Sequence, residues 1–407
     1  MNQKIIKPGL YSLIFIFGAF ASYWIFGTVI PMTGKKTTSD ITPTSTSQKT
    51  GFLTFEGPKT EVCPINGEKF TKEEQQIWSV RRPLLVMIEN HFDSRPQSGL
   101  TNADIVYEAV AEGGITRFMG VFYCNAVRGS ANKYDVGPVR SARTYFLDLA
   151  SEYADYPLYT HVGGANCSAA TPNGPCTTNT KALAIEQIAK YGWNNKGTWG
   201  DLSQFSLSYK ACRREPDRVG KTMATEHTMY CSTTELWNVA ASRGLTNTTE
   251  VNHSSWEKAF RSWSFKGEDK SASTAASSIS FDFWGDKAYA VSWKYDPVTN
   301  RYMRSNGGAP AIDFNYQQNI STKNLIIQFA KESRSIDEHL HNLYAVVGSG
   351  EGLYFANGQK TEVTWTKTAR QGRTVFKDKT TGKEVNFVPG QIWIEILPIG
   401  NKISYEG

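Results

Sequence analysis

The sequence predicts an α+β protein, with an N-terminal mixed α/β domain followed by a β-rich C-terminal domain, behind one N-terminal transmembrane helix. Three observations carry this. An uncharged apolar run lies near the start of the chain, strand and helix patterns then alternate to about residue 267, and short strand patterns separated by turn residues fill the rest. A polar, small-residue stretch at 268–278 (EDKSASTAASS) reads as the linker between domains at 52–267 and 279–407.

Residues 1–32 read as a membrane anchor. Leu10 to Ile30 carries no charge, and as a helix it spans about 30 Å, one hydrocarbon core. A cleaved signal peptide is the alternative, but the run ends without a small-x-small site. The first cysteine is Cys63, so a lipid on a processed cysteine is not expected. Lys4 and Lys7 on one side and Lys35 and Lys36 on the other leave the orientation close to a tie. Residues 33–51, rich in Thr, Ser and Lys, read as a flexible tether.

Lys and Arg number 44 against 38 Asp and Glu, a net charge of +6. Four of those positive charges flank the apolar run, so the body is nearly neutral and lacks the basic face that a nucleic-acid partner requires. A content of 40% hydrophobic and 13% aromatic residues excludes an intrinsically disordered chain. All six cysteines lie beyond the apolar run and none forms a C-x-x-C pair, which suits structural disulfides in an oxidising space. Proximity pairs Cys167 with Cys176 and Cys212 with Cys231, leaving Cys63 with Cys124; free buried thiols are the alternative. The body is therefore placed outside the cytoplasmic membrane.

In the first domain, Leu84–Glu89, Ile105–Val110, Arg117–Tyr123 and Leu158–Val162 are short apolar runs bounded by Gly, Pro or Asn and read as strands. Thr71-x-x-Glu74 and Ser232-x-x-Glu235 have the form of capping boxes. Ser141 is placed to cap a helix burying Tyr145, Phe146, Leu149 and Tyr153, and Lys181–Tyr191 is a further helix. In the second domain, strands are expected at Ser280–Phe283, Ala288–Tyr295, Tyr302–Ser305, Leu325–Ala330, Val363–Lys367, Arg373–Lys377 and Ile392–Leu397. Asp296–Asn300 and Lys379–Gly382 supply the turns.

The sequence holds no Walker loop, H-E-x-x-H, nucleophile elbow or zinc-spaced Cys/His cluster. Candidate chemistry concentrates between Arg95 and Gly164, where charged residues stand beside apolar strands and Gly-Gly or Gly-Pro turns. Arg140 and Arg143 straddle Ser141 at a predicted helix N-terminus and, with Arg117, make an anion-binding candidate. The alternative is that the arginines pair structurally with Asp104, Glu108 or Glu112. No metal site is expected. Asp104 and Glu108 are weak candidates for a cation, and His339 with His341 reads as a polar loop.

Several long strings identify the chain as similar to a known family. These are RPLLVMIEN (82–90), RPQSGLTNADIVYEAVAEGGITRFMGVF (95–122), VGPVRSARTYFLDLASEY (136–153) and HVGG (161–164). VSWKYDPVTNRYMRSNGGAPAIDF (291–314) and NFVPGQIWIEILP (386–398) extend the match to the second domain. They resemble the YerB-like family, bacterial envelope proteins of two domains without an established reaction. The resemblance implies a membrane-attached or secreted protein, many relatives being lipoproteins. This chain departs by lacking the lipid-bearing cysteine and by carrying the Cys167–Cys176 stretch.

Two functions follow. The first is a membrane-anchored extracytoplasmic binding or scaffold protein with an anion-binding cleft, attached through residues 10–30 and meeting an envelope protein or a phosphorylated or glycan ligand. The second is an enzyme acting on a phosphorylated envelope substrate. Its layout resembles that of the LytR–CpsA–Psr phosphotransferases, with Glu108, Glu112, His161 and His227 as catalytic candidates and Arg117, Arg140 and Arg143 on phosphate oxygens. Only this second reading calls for a cofactor, a divalent cation.

Overall fold

The computed structural model describes residues 53–129, 135–167, 176–250, 253–269 and 276–406. The predicted anchor, the tether and the loop inside the Cys167–Cys176 bridge lie outside these residues. Among the described residues no helix is long and apolar enough to cross a membrane.

Ten strands form the main sheet. In chain order they are β1 (Leu84–Glu89), β2 (Ile105–Glu112), β3 (Ile115–Phe122), β4 (Leu158–His161) and β5 (Asp201–Ser203). A second sheet interrupts with β6 (Ser278–Phe281), β7 (Val291–Asp296) and β8 (Arg301–Asn306). The main sheet resumes with β9 (Asn324–Ala330), β10 (Gly348–Ala356), β11 (Gln359–Lys367), β12 (Val375–Asp378) and β13 (Ile392–Pro398). Its order is β12–β11–β10–β9–β13–β2–β3–β1–β4–β5. β2 pairs with β13 in parallel, Ile105 opposite Ile392 and Glu108 opposite Glu395, so strands from both sides of 268–278 share one sheet.

β1 and β13 are almost wholly buried along their length. That continuous apolar pattern belongs to strands covered on both faces. β2 and β3 form a hairpin around Gly113 and Gly114, both at positive φ (55° and 87°), where side chains other than glycine are strained. The second sheet packs onto the main one through Trp293 of β7 and Trp393 of β13, whose rings meet edge-on with centroids 5.2 Å apart.

Among the described residues helices are few and short, so this part of the chain is mostly β rather than evenly α+β. They are α1 (Lys72–Trp78), α2 (Thr144–Ala150), α3 (Ala184–Lys190), α4 (Thr233–Ser242) and α5 (Trp256–Ala259). α1 begins with the predicted capping box: Thr71 Oγ1 accepts from the Glu74 N–H, and Glu74 Oε2 accepts from the Thr71 N–H. At α4, Ser232 Oγ accepts from the Glu235 N–H at 3.4 Å. Two expectations are corrected. α2 is preceded by Arg143 in extended conformation, and Ser141 does not cap it, because residues 138–142 are engaged as backbone partners of neighbouring strands. α3 starts at Ala184 rather than Lys181, since Thr180–Ala182 closes a 3₁₀ turn and Leu183 leaves helical geometry.

All six cysteines are paired: Cys63–Cys124, Cys167–Cys176 and Cys212–Cys231. The last pair joins facing residues of two short antiparallel strands, Cys212–Arg214 and Met229–Ser232.

Candidate functional site

β1, β2, β4, β5, β9 and β13 all run in one direction, with β3 antiparallel among them. Their carboxyl ends therefore lie along one edge, the place where open α/β sheets bind ligands. Glu89 ends β1, Glu112 ends β2 and His161 ends β4, while Arg117 lies near the start of β3, directly opposite Glu89.

β1 and β4 pair only as far as Val86 and Thr160. Beyond that point residues 138–142 enter between them. The Glu89 N–H donates to the Pro138 carbonyl and the Arg140 N–H to that of Met87. On the other side the Val162 N–H donates to the Arg140 carbonyl, and the Ala142 N–H to that of Gly163. This wedge brings Arg140 to Glu89 and leads into Arg143, which meets Glu112, by backbone hydrogen bonds rather than by a helix cap.

Three guanidinium groups then meet two carboxylates. Arg140 Nε lies 3.2 Å from Glu89 Oε1. Arg117 and Arg143 each place an Nη2 2.5 Å from Glu112, one on each carboxylate oxygen. Burial works to raise the Glu112 carboxyl, but Arg117 and Arg143 outweigh it and hold it at about 2. One positive charge is left over. The Nε–H groups of Arg117 and Arg143 are buried without an acceptor, so part of the donor capacity of the group is unspent. Arg140 is the most open of the three, with 27% of its side chain exposed.

Histidines flank this row. His227 Nδ1 lies 2.9 Å from Glu89 Oε2, and that hydrogen bond, against burial, raises its pKa. Burial first, and then the neighbouring His227, lowers that of His91. The two rings stack at 4.8 Å. His161 is differently placed. Its Nε2 meets Asp201 Oδ1 at 2.8 Å and its Nδ1 the Gly163 carbonyl at 2.6 Å, so both ring nitrogens tie β4 to β5 and to the 161–164 turn.

The remaining predicted residues serve the interior. Asp104 accepts from the Asn66 side chain and from the N–H groups of Tyr123 and Asn125, beside the Cys63–Cys124 bridge, and burial raises it to about 7. Glu108 accepts from Asn90 and Thr116 and pairs with Arg304 at 2.6 Å. Ser141 contributes its carbonyl, 3.2 Å from Arg117 Nη1. His339 is exposed, whereas His341 Nδ1 pairs with Asp337 at 2.9 Å.

Sequence reasoning passed over several residues that matter here. Glu89 was marked by being the one charge at the end of a wholly apolar strand. Arg304 falls on the inward face of β8 with Tyr302 and bridges Glu108 and Glu395 beneath Trp293 and Trp393. Burial and the nearby Glu108 push the Glu395 carboxyl well up. Lys367 and Glu152 form another buried pair, 3.0 Å apart.

Two family descriptions match the chain. Residues 70–246 match "Protein of unknown function (DUF3048) N-terminal domain" and residues 279–394 the corresponding C-terminal domain. The chain is 29% identical over 340 residues to the protein named "Putative lipoprotein YerB" of Bacillus subtilis strain 168, covering 83% of this chain and 86% of that one. The chain belongs to the YerB-like family. The crystal structure of YerB from Bacillus subtilis superposes with a TM-score of 0.64 at 26% identity, over 85% of this chain and all of that one. Both YerB-like domains contribute to the main sheet, and the row of arginines and carboxylates lies wholly within the N-terminal one.

Proposed function

We propose that this YerB-like protein is a membrane-attached, extracytoplasmic binding protein that holds an anionic group of an envelope ligand at Arg140, flanked by Arg117 and Arg143. Attachment runs through residues 10–30. The relative named as a lipoprotein and the three disulfides support an extracytoplasmic, membrane-attached location, while the anchor at residues 10–30 rests on the apolar run alone. The observation that carries the anion reading is the excess of guanidinium over carboxylate at the carboxyl edge of the sheet, with unspent Nε–H donors. A phosphate or carboxylate oxygen there would accept charge-assisted hydrogen bonds and neutralise the surplus charge. Binding is favoured over proton transfer because Glu112 is fixed between two guanidiniums and both nitrogens of His161 are engaged.

A second reading, an enzyme acting on a phosphorylated substrate, is favoured by one contact: the His227–Glu89 pair beside Arg140. Such a pair can orient an imidazole for acid–base work.

A thermal-shift titration with inorganic phosphate and pyrophosphate tests the anion seat. A ligand at 100 times its dissociation constant stabilises by about 2.7 kcal/mol. The shift is expected in the native chain and absent in Arg140→Ala, measured from that variant's own melting point, which is lowered because buried Glu89 keeps only His227 as a partner. No shift with any phosphate or carboxylate ligand rejects the anion seat. Turnover of a phosphate ester that is lost in His227→Gln selects the enzyme reading.

A further inference from the structure

We infer that His91, Asp93 and His227 form a binding site for a divalent transition metal, zinc being the best fit to their donors. A ring nitrogen from each histidine and a carboxylate oxygen of Asp93 lie within 4.8 Å of one another. Two nitrogens and one oxygen, with a fourth position left open, is the donor set of catalytic rather than structural zinc.

The surroundings support this independently of the spacing. Metal-bound histidines usually give their other ring nitrogen to a carboxylate, which fixes the ring and makes it a better ligand. His227 has that arrangement: Nδ1 is held by Glu89 at 2.9 Å, leaving Nε2 to ligate. His91 caps the 3₁₀ turn Phe92–Ser94 that carries Asp93: its Nδ1 accepts from the Asp93 N–H at 3.2 Å and lies 3.6 Å from Asp93 Oδ2, which leaves the His91 Nε2 to ligate. Metal–ligand bonds of about 2.0–2.2 Å require the three donors to draw closer. The two that must move can do so, since the side chains of His91 and Asp93 are 21% and 58% exposed, while His227 is the buried fixed point.

The local charge is mixed. Arg95 and Arg140 oppose a cation, whereas Glu89, Asp93 and the exposed Glu226 favour one. Glu89 touches both His227 and Arg140, so the open metal position would adjoin the proposed anion seat. The metal site nevertheless stands on its own residues and does not depend on that seat.

The test uses the tag-free full chain, stripped with a chelator and titrated with Zn²⁺ by calorimetry and with Co²⁺ by visible absorbance. One equivalent of metal per chain is expected, with a ligand-field band for Co²⁺. His91→Ala and Asp93→Asn, both at accessible positions, should each weaken binding at least tenfold. Glu89→Gln should weaken it by about 10–100-fold through His227. His339→Ala, in another loop, should leave it unchanged. Absence of stoichiometric uptake at micromolar metal, or uptake that His91→Ala and Asp93→Asn leave intact, overturns the site.

Discussion

Glu112 is the most heavily loaded single residue in the candidate site, because two guanidiniums depend on it. Its folded pKa of about 2 lies below the ordinary 4.5, so its stabilisation is complete above pH 4.5 and is lost as pH falls towards 2. Glu112→Gln should cost about 3–5 kcal/mol in urea denaturation at neutral pH by stranding buried arginines. It should also flatten the acid limb of stability between those pH values; an unchanged acid limb would mean the carboxylate is not held by Arg117 and Arg143. The two stacked histidines should separate in an NMR titration, His227 above and His91 below the usual histidine value. The reverse order would refute the Glu89 contact. The arginine–carboxylate alternative was open in the sequence because residue type and spacing show that charges are present. Which partner each charge meets depends on the wedge at 138–142, and hydrogen bonds of that kind leave no local pattern.

At the scale of elements, local chemistry was the best guide. The Thr71–Glu74 signature marks α1 correctly, and Thr71→Ala should remove about 1 kcal/mol of stability without changing the fold, as read by denaturation and circular dichroism. Apolar runs located β1, β2, β3 and β13 to within a few residues. β10 was missed because its first half, Gly-Ser-Gly-Glu-Gly, reads as loop. The glycines are there for closeness: a Cβ on Gly350 would stand 2.6 Å from the Trp365 ring nitrogen, and one on Gly352 2.5 Å from the Ile327 carbonyl. Helix patterns misled where other bonds claimed the backbone first: neighbouring strands at Ser141, and the local 3₁₀ turn capped by Asn179 at Lys181–Leu183.

For the whole molecule, Arg304 is the central fastening, since it reaches from the second sheet to Glu108 of β2 and Glu395 of β13. Arg304→Met should destabilise by about 3–5 kcal/mol, leaving two buried carboxyls without their cation. Native unfolding should be one transition, the same by tryptophan fluorescence and by circular dichroism, because strands of both family domains share a sheet. Two resolved transitions would show that the halves fold apart. The pairing of β2 with β13 also has a consequence during synthesis. Ile105–Glu112 is made long before its parallel neighbour Ile392–Pro398. Until then the growing chain carries an apolar strand with one open flank, an invitation to wrong partners. Premature termination before residue 392 should therefore yield aggregate rather than a smaller folded product.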